Sequence, residues 1–316
     1  MVYNRFMWRD CAVELSEHRM IHTVPLKLDN IAVRAHTFVG IYELNGKIVF
    51  VHSILEDVPR EHITENTIFP EHIVADFFSP DFSRHTQAHI TYIERKTFYH
   101  NQAECRVDGD CLLMDTLHYE LGGAFYQAEE NKGLAKRLEI REGSIREIGE
   151  PPEPVEQVFS DSKTYRFGDY AVRMAAPFKM ECTSLSIGSV VWELRLTAYL
   201  YTEIEEKDGM LYFGTAGKGG RFYRVSLRDG KVAFAYDTGG TVHYDWYEGT
   251  VLVADRKGDM VVINPEHGIE VRRFDFHKLK LQVCPYTLIS DDNLYLLARE
   301  KKELFALHAA RVELEE

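Results

Sequence analysis

Three short segments set a tyrosine beside a small polar or acidic residue: Tyr201-Thr202, Tyr244-Asp245 and Tyr286-Thr287. Each stands just before a run that reads as an apolar strand, and His22-Thr23 stands comparably before Asn30-Ile31. A phenol, an imidazole and a carboxylate brought together can bind a polar ligand and exchange protons with it. On that ground Tyr201, His243, Tyr244, Asp245 and Tyr286 are the candidate ligand-binding residues. The competing reading is that such residues serve packing between neighbouring strands.

Other constellations carry less. Five histidines fall between residues 62 and 100: His62, His72, His85, His89 and His100. On a helix His85 and His89 would share a face and could hold a metal. The residues that follow, Ile90-Thr91-Tyr92-Ile93, read as strand. There the two imidazoles lie about 13 Å apart, too far for one ion. No His-Glu-x-x-His motif is present, so no metal is expected. Gly214 to Gly220 has the composition of a phosphate loop, but Arg221-Phe222-Tyr223-Arg224-Val225 continues it as a strand. A phosphate loop must open a helix whose end amides cradle the anion, so this stretch is a hairpin turn. No Gly-x-Ser-x-Gly elbow occurs, and no catalytic residue is assigned.

The chain carries 50 acidic against 37 basic residues, a net charge of −13. Such a field repels phosphate backbones and anionic lipids, which argues against nucleic acid and membrane surfaces as partners. No apolar run approaches the roughly 20 residues that span a bilayer. The first ten residues lack the apolar stretch of a secretory signal. The five cysteines are odd in number and scattered, as for free thiols in a reducing compartment. A cytoplasmic location is expected. At 316 residues and 45% hydrophobic content, the chain can bury a large core.

The elements that must position the candidates recur. One segment runs Gly209-Met210-Leu211-Tyr212-Phe213-Gly214, then Arg221 to Leu227, then Gly230 to Tyr236. A second runs Gly249 to Ala254, Gly258 to Ile263 and Gly268 to Phe274. A third opens with Asn293 to Ala298, and weaker copies lie at 168–194 and 29–51. Each reads as short strands joined by tight turns, which makes neighbours antiparallel. Glycine at the turns supplies positive φ. The glycines before the third strand are Gly46, Gly143, Gly188, Gly230 and Gly268. Their spacings of 45, 42 and 38 residues at the C-terminal end, and of 97 from Gly46 to Gly143, imply seven units. A period of about 40 to 50 residues is that of propeller blades.

The run from Gly209 to Gly240 resembles the quinoprotein-type propeller repeat, and Ser184 to Leu194 resembles the end of the same repeat, with Trp192 at its tryptophan position. The resemblance implies an all-β fold, a single β-propeller domain over residues 1–316 with seven four-stranded blades. Six or eight blades, a sandwich or a barrel are the alternatives. Quinone dehydrogenases of that family use an adjacent cysteine pair, which this chain lacks. No cofactor is expected. The ring would close by pairing Ala12-Val13-Glu14-Leu15 with the region of residues 304–307. Residues 55–105 break the rhythm and read either as a degenerate blade or as an excursion that covers the funnel. Glu150-Pro151-Pro152-Glu153-Pro154 reads as an extended connection between blades. The expected role is a protein-interaction scaffold. The alternative is a small-molecule enzyme, hydrolase- or lactonase-like, with its site at the central funnel. The partner is then another protein or a small ligand.

Overall fold

A computed structural model describes residues 14–15, 19–63, 69–95, 102–117, 136–149, 163–303 and 305–314. Cys11, Ala12, Val13, His100 and the stretch 150–154 lie outside the described residues, as does residue 304. The chain divides into two compact units, Met1–Val155 with Tyr286–Glu316, and Glu156–Pro285.

The first unit begins with β1 (Glu14–Leu15), β2 (Arg19–Leu26), β3 (Val33–Leu44), β4 (Lys47–Glu56), β5 (Phe69–Phe78) and β6 (His85–Arg95). It continues with β7 (Gln102–Asp108), β8 (Cys111–Leu117), β9 (Arg137–Arg141) and β10 (Ser144–Gly149). The second unit carries β11 (Thr164–Phe167), β12 (Tyr170–Ala176), β13 (Lys179–Ser184), β14 (Ser189–Arg195), β15 (Tyr199–Leu200) and β16 (Glu205–Lys207). Then come β17 (Met210–Ala216), β18 (Arg221–Ser226), β19 (Val232–Asp237), β20 (Tyr244–Tyr247), β21 (Thr250–Ala254), β22 (Met260–Asn264) and β23 (Ile269–Phe274). The last strands are β24 (Leu281–Ser290), β25 (Asn293–Glu300) and β26 (Leu307–Glu313).

These strands make antiparallel sheets of four or five, each built from strands consecutive in sequence: β3–β6, β7–β10, β11–β14, β15–β19 and β20–β23. This is β-propeller architecture at the level of the blade, and among the described residues no α-helix occurs. The sixth sheet, ordered β1-β2-β26-β25-β24, joins both ends of the chain. Its seam runs from Ile21 opposite Val312 to Leu26 opposite Leu307. The end-to-end pairing expected from sequence is therefore present, one strand later than expected. Residues 14–15 pair with β2 instead of the last strands, and Ile21 and Leu26 supply the buried side chains at the seam. Such pairing leaves one fewer open sheet edge.

The expected seven units become six sheets among the described residues. Gly46 lies in the hairpin between β3 and β4, the first two strands of its sheet. Gly143, Gly188, Gly230 and Gly268 lie between the last two strands of theirs. Gly46 is therefore not equivalent to the other four, and the 97-residue interval from Gly46 to Gly143 does not measure whole repeats. Within the irregular stretch, β5 and β6 are the last two strands of one sheet, unusually long at 10 and 11 residues, and a short 3-10 turn at Arg60–His62 lies between β4 and β5. Long strands stretch the interval between turns, which is why the rhythm breaks there.

In the second unit one device recurs between successive sheets. Trp192 of β14 lies against Gly230 in the β18–β19 turn, and its Nε1–H donates to the Leu227 carbonyl at 2.7 Å. Phe234 of β19 lies likewise against Gly268 in the β22–β23 turn. Each aromatic stands four residues after the glycine of its own turn, Gly188 and Gly230. Gly230 has φ +69°, and a Cβ there would stand 2.7 Å from the indole. Only glycine satisfies both the left-handed backbone and the close ring. Around these contacts Val172, Met180, Cys182, Leu211, Phe213 and Val225 form a continuous buried cluster. Gly209 has a comparable φ of +73° but open space where a Cβ would go.

This pair of glycines separates backbone strain from packing. Gly209→Ala should cost about 1 kcal/mol, the left-handed penalty alone. Gly230→Ala should cost about 2 to 4 kcal/mol, because ring displacement adds to it. Urea unfolding of both variants measures the difference; equal costs would show that the indole contact contributes nothing.

Candidate functional site

In the second unit, β16, which pairs with β17, and β20, which opens the next sheet, bring an acid to an aromatic pair. Glu205 of β16 accepts from the Tyr244 hydroxyl at 3.0 Å and from the Trp246 indole N–H at 2.8 Å. Tyr244 and Trp246 are two apart on β20, so they share a face. That face packs on the preceding sheet, where Tyr244 meets Phe222 at 4.7 Å and Trp246 meets Tyr212 at 5.0 Å. The Lys207 ammonium lies 3.1 Å over the Trp246 ring. Burial, and then the negative Glu205, push the Tyr244 phenol above its ordinary range. Tyr244 is thus committed to inter-sheet packing, the competing reading of the sequence.

Asp245 alternates to the other side of β20 from these rings. Burial first, and then Glu205, push its carboxyl up to about 6. His243 precedes the strand, and burial lowers its imidazole to about 4. The ring of Tyr201 meets that of His243 edge-on at 4.9 Å, with Tyr201 itself exposed. Tyr201 and His243 are therefore brought together, while Tyr286 belongs to the first unit and packs edge-on against Phe38 at 4.7 Å. Glu205, Trp246 and Lys207 were not singled out from sequence. The i, i+2 aromatic spacing of Tyr244 and Trp246 was the available signal for the shared face.

The histidine-rich stretch separates into unrelated contacts. His85 Nε2 lies 2.7 Å from Asp76 Oδ1 and its ring stacks on Phe78 at 4.5 Å. His89 is exposed on the same strand. His72 lies 3.0 Å from Glu56 and 2.7 Å from the Thr91 hydroxyl. Asp76 gathers more than His85: His52 Nε2 stands 2.7 Å from its other oxygen, and His36 Nε2 stands 2.8 Å from His52 Nδ1. His36 and His52 lie outside the 62–100 stretch and reach Asp76 only through sheet pairing of β3, β4 and β5.

Among the described residues, Asp259, Asp275 and His277 form a trio whose ligand-type atoms fall within 4.8 Å of one another. The His277 main-chain N–H and its Nδ1 both meet Asp259 Oδ1, at 2.8 and 2.9 Å. The Arg273 guanidinium also bonds Asp259 at 3.1 Å and reaches Asp255. Lys278 pairs with Asp275. The buried Asp259 carboxylate is thus supplied with the Arg273 guanidinium and with N–H donors by its own chain.

No family model matches this chain. No curated protein matches it either. Among solved structures, the computationally designed Ika8 protein aligns over 90% of this chain and 98% of its own, at 8% identity and TM-score 0.39. BamB from Moraxella catarrhalis aligns over 93% and 97%, at 10% identity and TM-score 0.36. A mutant Trypanosoma rangeli sialidase displaying trans-sialidase activity aligns over 92% of this chain and 57% of its own, at 12% identity and TM-score 0.42. Likenesses this coarse carry no argument about ligand or reaction.

The raised Asp245 carboxyl has a stability signature. The folded state binds this proton more tightly than the unfolded chain, so the contribution is full below about pH 4 and is lost as pH rises through about 6. At neutral pH Asp245→Asn should therefore stabilise the protein by about 1 to 2 kcal/mol, allowing for partial solvent access. The gain should vanish below about pH 4. Thermal unfolding across that range measures it, and a gain independent of pH would contradict the assignment.

Proposed function

We propose that this protein is a cytoplasmic, propeller-type binding scaffold that engages another protein and carries out no chemistry of its own. One observation carries the reading. The last strands and hairpins of all three second-unit sheets display apolar side chains to solvent: Leu185, Ile187, Val190 and Val191; Val232; and Ile269 and Val271. Ile187 is 72% exposed and Ile269 61%. Last strands also present unpaired main-chain donors and acceptors, which monomeric proteins blunt with charge or cover. Apolar β-branched residues on such an edge suit addition of an extended partner segment, whose alternate side chains the edge residues contact. The acidic surface disfavours nucleic acid and anionic membrane as that partner. Among the described residues no helix is long and apolar enough to cross a membrane. The repeats are of the quinoprotein type in this reading. Docking of Trp192 and Phe234 on the glycines of following turns supports that, while no quinone is required.

A second reading has one observation in its favour. At Tyr201, His243 and Asp245 a carboxyl pushed up to about 6 stands two residues from an imidazole lowered to about 4. Perturbed groups of this kind suit acid–base work on a small ligand.

Val190→Glu with Val191→Lys, both at exposed positions, should leave the unfolding midpoint within about 0.5 kcal/mol of wild type. The same pair should remove specific partners from affinity captures made with equal amounts of folded protein. Capture of an identical set by wild type and variant would contradict the edge reading. Turnover of a sugar or lactone by wild type, lost in Asp245→Asn, would favour the enzyme instead.

A further inference from the structure

Two neighbouring rings of the second unit leave their polar atoms open. Tyr201 and His243 meet edge-on, 4.9 Å between centroids. Among the described residues, neither the Tyr201 hydroxyl nor a ring nitrogen of His243 has a hydrogen-bond partner, although His243 is half-buried. Tyr201 is 51% exposed, so one face of its ring is open to solvent. Half-buried polar groups normally find partners within the chain, and a pair left open at the surface points to a ligand.

A glycine builds the pair. Gly214 lies inside β17, where glycine weakens a strand but admits close approach. A Cβ there would stand 2.6 Å from Val242 Cγ1 and 3.0 Å from Thr202 Cγ2. Without one, the residues beside Tyr201 and His243 close on a single point of the strand. The Gly214 carbonyl accepts from the Tyr201 main-chain N–H at 2.9 Å, and the Gly214 N–H donates to the Thr202 hydroxyl at 2.8 Å. Val242 is fully buried, and its N–H donates to the Thr215 carbonyl at 3.1 Å. Open rings on a backbone tied at both points are preorganised for contact.

The chemistry on offer favours a cation. Asp245 lies two residues beyond His243, on the side of β20 away from Tyr244 and Trp246. Held at about 6, its carboxyl is ionised at neutral pH. His243, lowered to about 4, is neutral there and keeps one nitrogen as an acceptor. An open phenol face, an acceptor nitrogen and a carboxylate together suit a cation that carries N–H groups. The other side of the same strand shows such a pairing within the chain. There the Lys207 ammonium lies 3.1 Å over Trp246, whose N–H is held by Glu205. Among the described residues no lysine or arginine stands over Tyr201. A net charge of −13 also draws cations and repels anions.

We propose that Tyr201, His243 and Asp245 form a binding site for a small alkylammonium ion. Its N–H groups bond His243 and Asp245, and its charge and first methylenes lie against the Tyr201 ring. The inference rests on the location named in the second functional reading and not on any acid–base step there.

Isothermal titration of the full chain with n-butylammonium chloride tests it, with n-butanol as the neutral counterpart in matched salt. Wild type should bind the ammonium saturably at one site and should not bind the alcohol at the same concentrations. Tyr201→Ala should weaken the ammonium by about threefold to tenfold, and Asp245→Asn by about tenfold, both as folded proteins. Equal binding of the alcohol, or no saturable binding, would overturn the proposal. So would the same ammonium affinity in wild type and both variants, which marks a diffuse response to net charge. Ammonium binding by a protein that turns over no sugar or lactone upholds the site and removes the enzyme reading. Turnover that depends on Asp245, with no ammonium binding, does the reverse.

Discussion

A ring pressed on a turn that has no side chain is the contact on which the second unit rests. A four-stranded meander buries one face of each strand only if another sheet covers it. The covering sheet must be held at a fixed distance and register. Trp192 on Gly230 and Phe234 on Gly268 do this, because each glycine lets an aromatic approach the backbone to within reach of a single van der Waals contact. The indole hydrogen bond to the Leu227 carbonyl fixes orientation as well as distance. From that contact follow the turn geometry, the buried clusters on either side, and the outward presentation of the last strands. The interval is not carried further by sequence: four residues beyond Gly268 stands Arg272, which has no comparable ring to offer.

Buried carboxylates obey a second rule in both units. Asp76 is surrounded by two imidazoles and an amide. Asp115 takes a two-pronged contact from Arg137, at 2.6 and 2.7 Å. Asp259 meets Arg273 and His277. Breaking such a set by removing one member costs more than the set contributes, since it leaves an uncompensated charge. A chain with net charge −13 can bury these acids because each one is satisfied locally. These sets therefore read as architecture, and the outward apolar edges are where the surface is least satisfied.

Much of the fold was legible in the residues. The turn glycines and alternating strands located β17 to β23 closely, since short strands with tight turns have few alternatives. Trp192 of β14 was marked by the repeat resemblance alone, and its docking on the next sheet's turn was not read from sequence. Gly46 misled because a left-handed glycine marks any hairpin, first or last, and so fixes no position within a sheet. The contacts of His36, His52 and Asp76 were invisible because these residues come from β3, β4 and β5. No spacing in sequence encodes which strands lie side by side. At the candidate site, the aromatic pair on β20 was half legible from its alternation. Its acid, Glu205, reaches Tyr244 and Trp246 from another sheet, and nothing near it in sequence announces that.

If the ring-on-glycine contact governs how successive sheets stack, its two sides must be energetically coupled. The direct measurement is a double-mutant cycle of Trp192→Ala and Gly230→Ala by urea unfolding. Once the indole is gone, the added methyl at residue 230 meets no ring, so only the left-handed backbone cost should remain. The account predicts a coupling of about 1 to 3 kcal/mol between the two changes. Costs that add to within about 0.5 kcal/mol would show that the sheets are held by other contacts, and would contradict it.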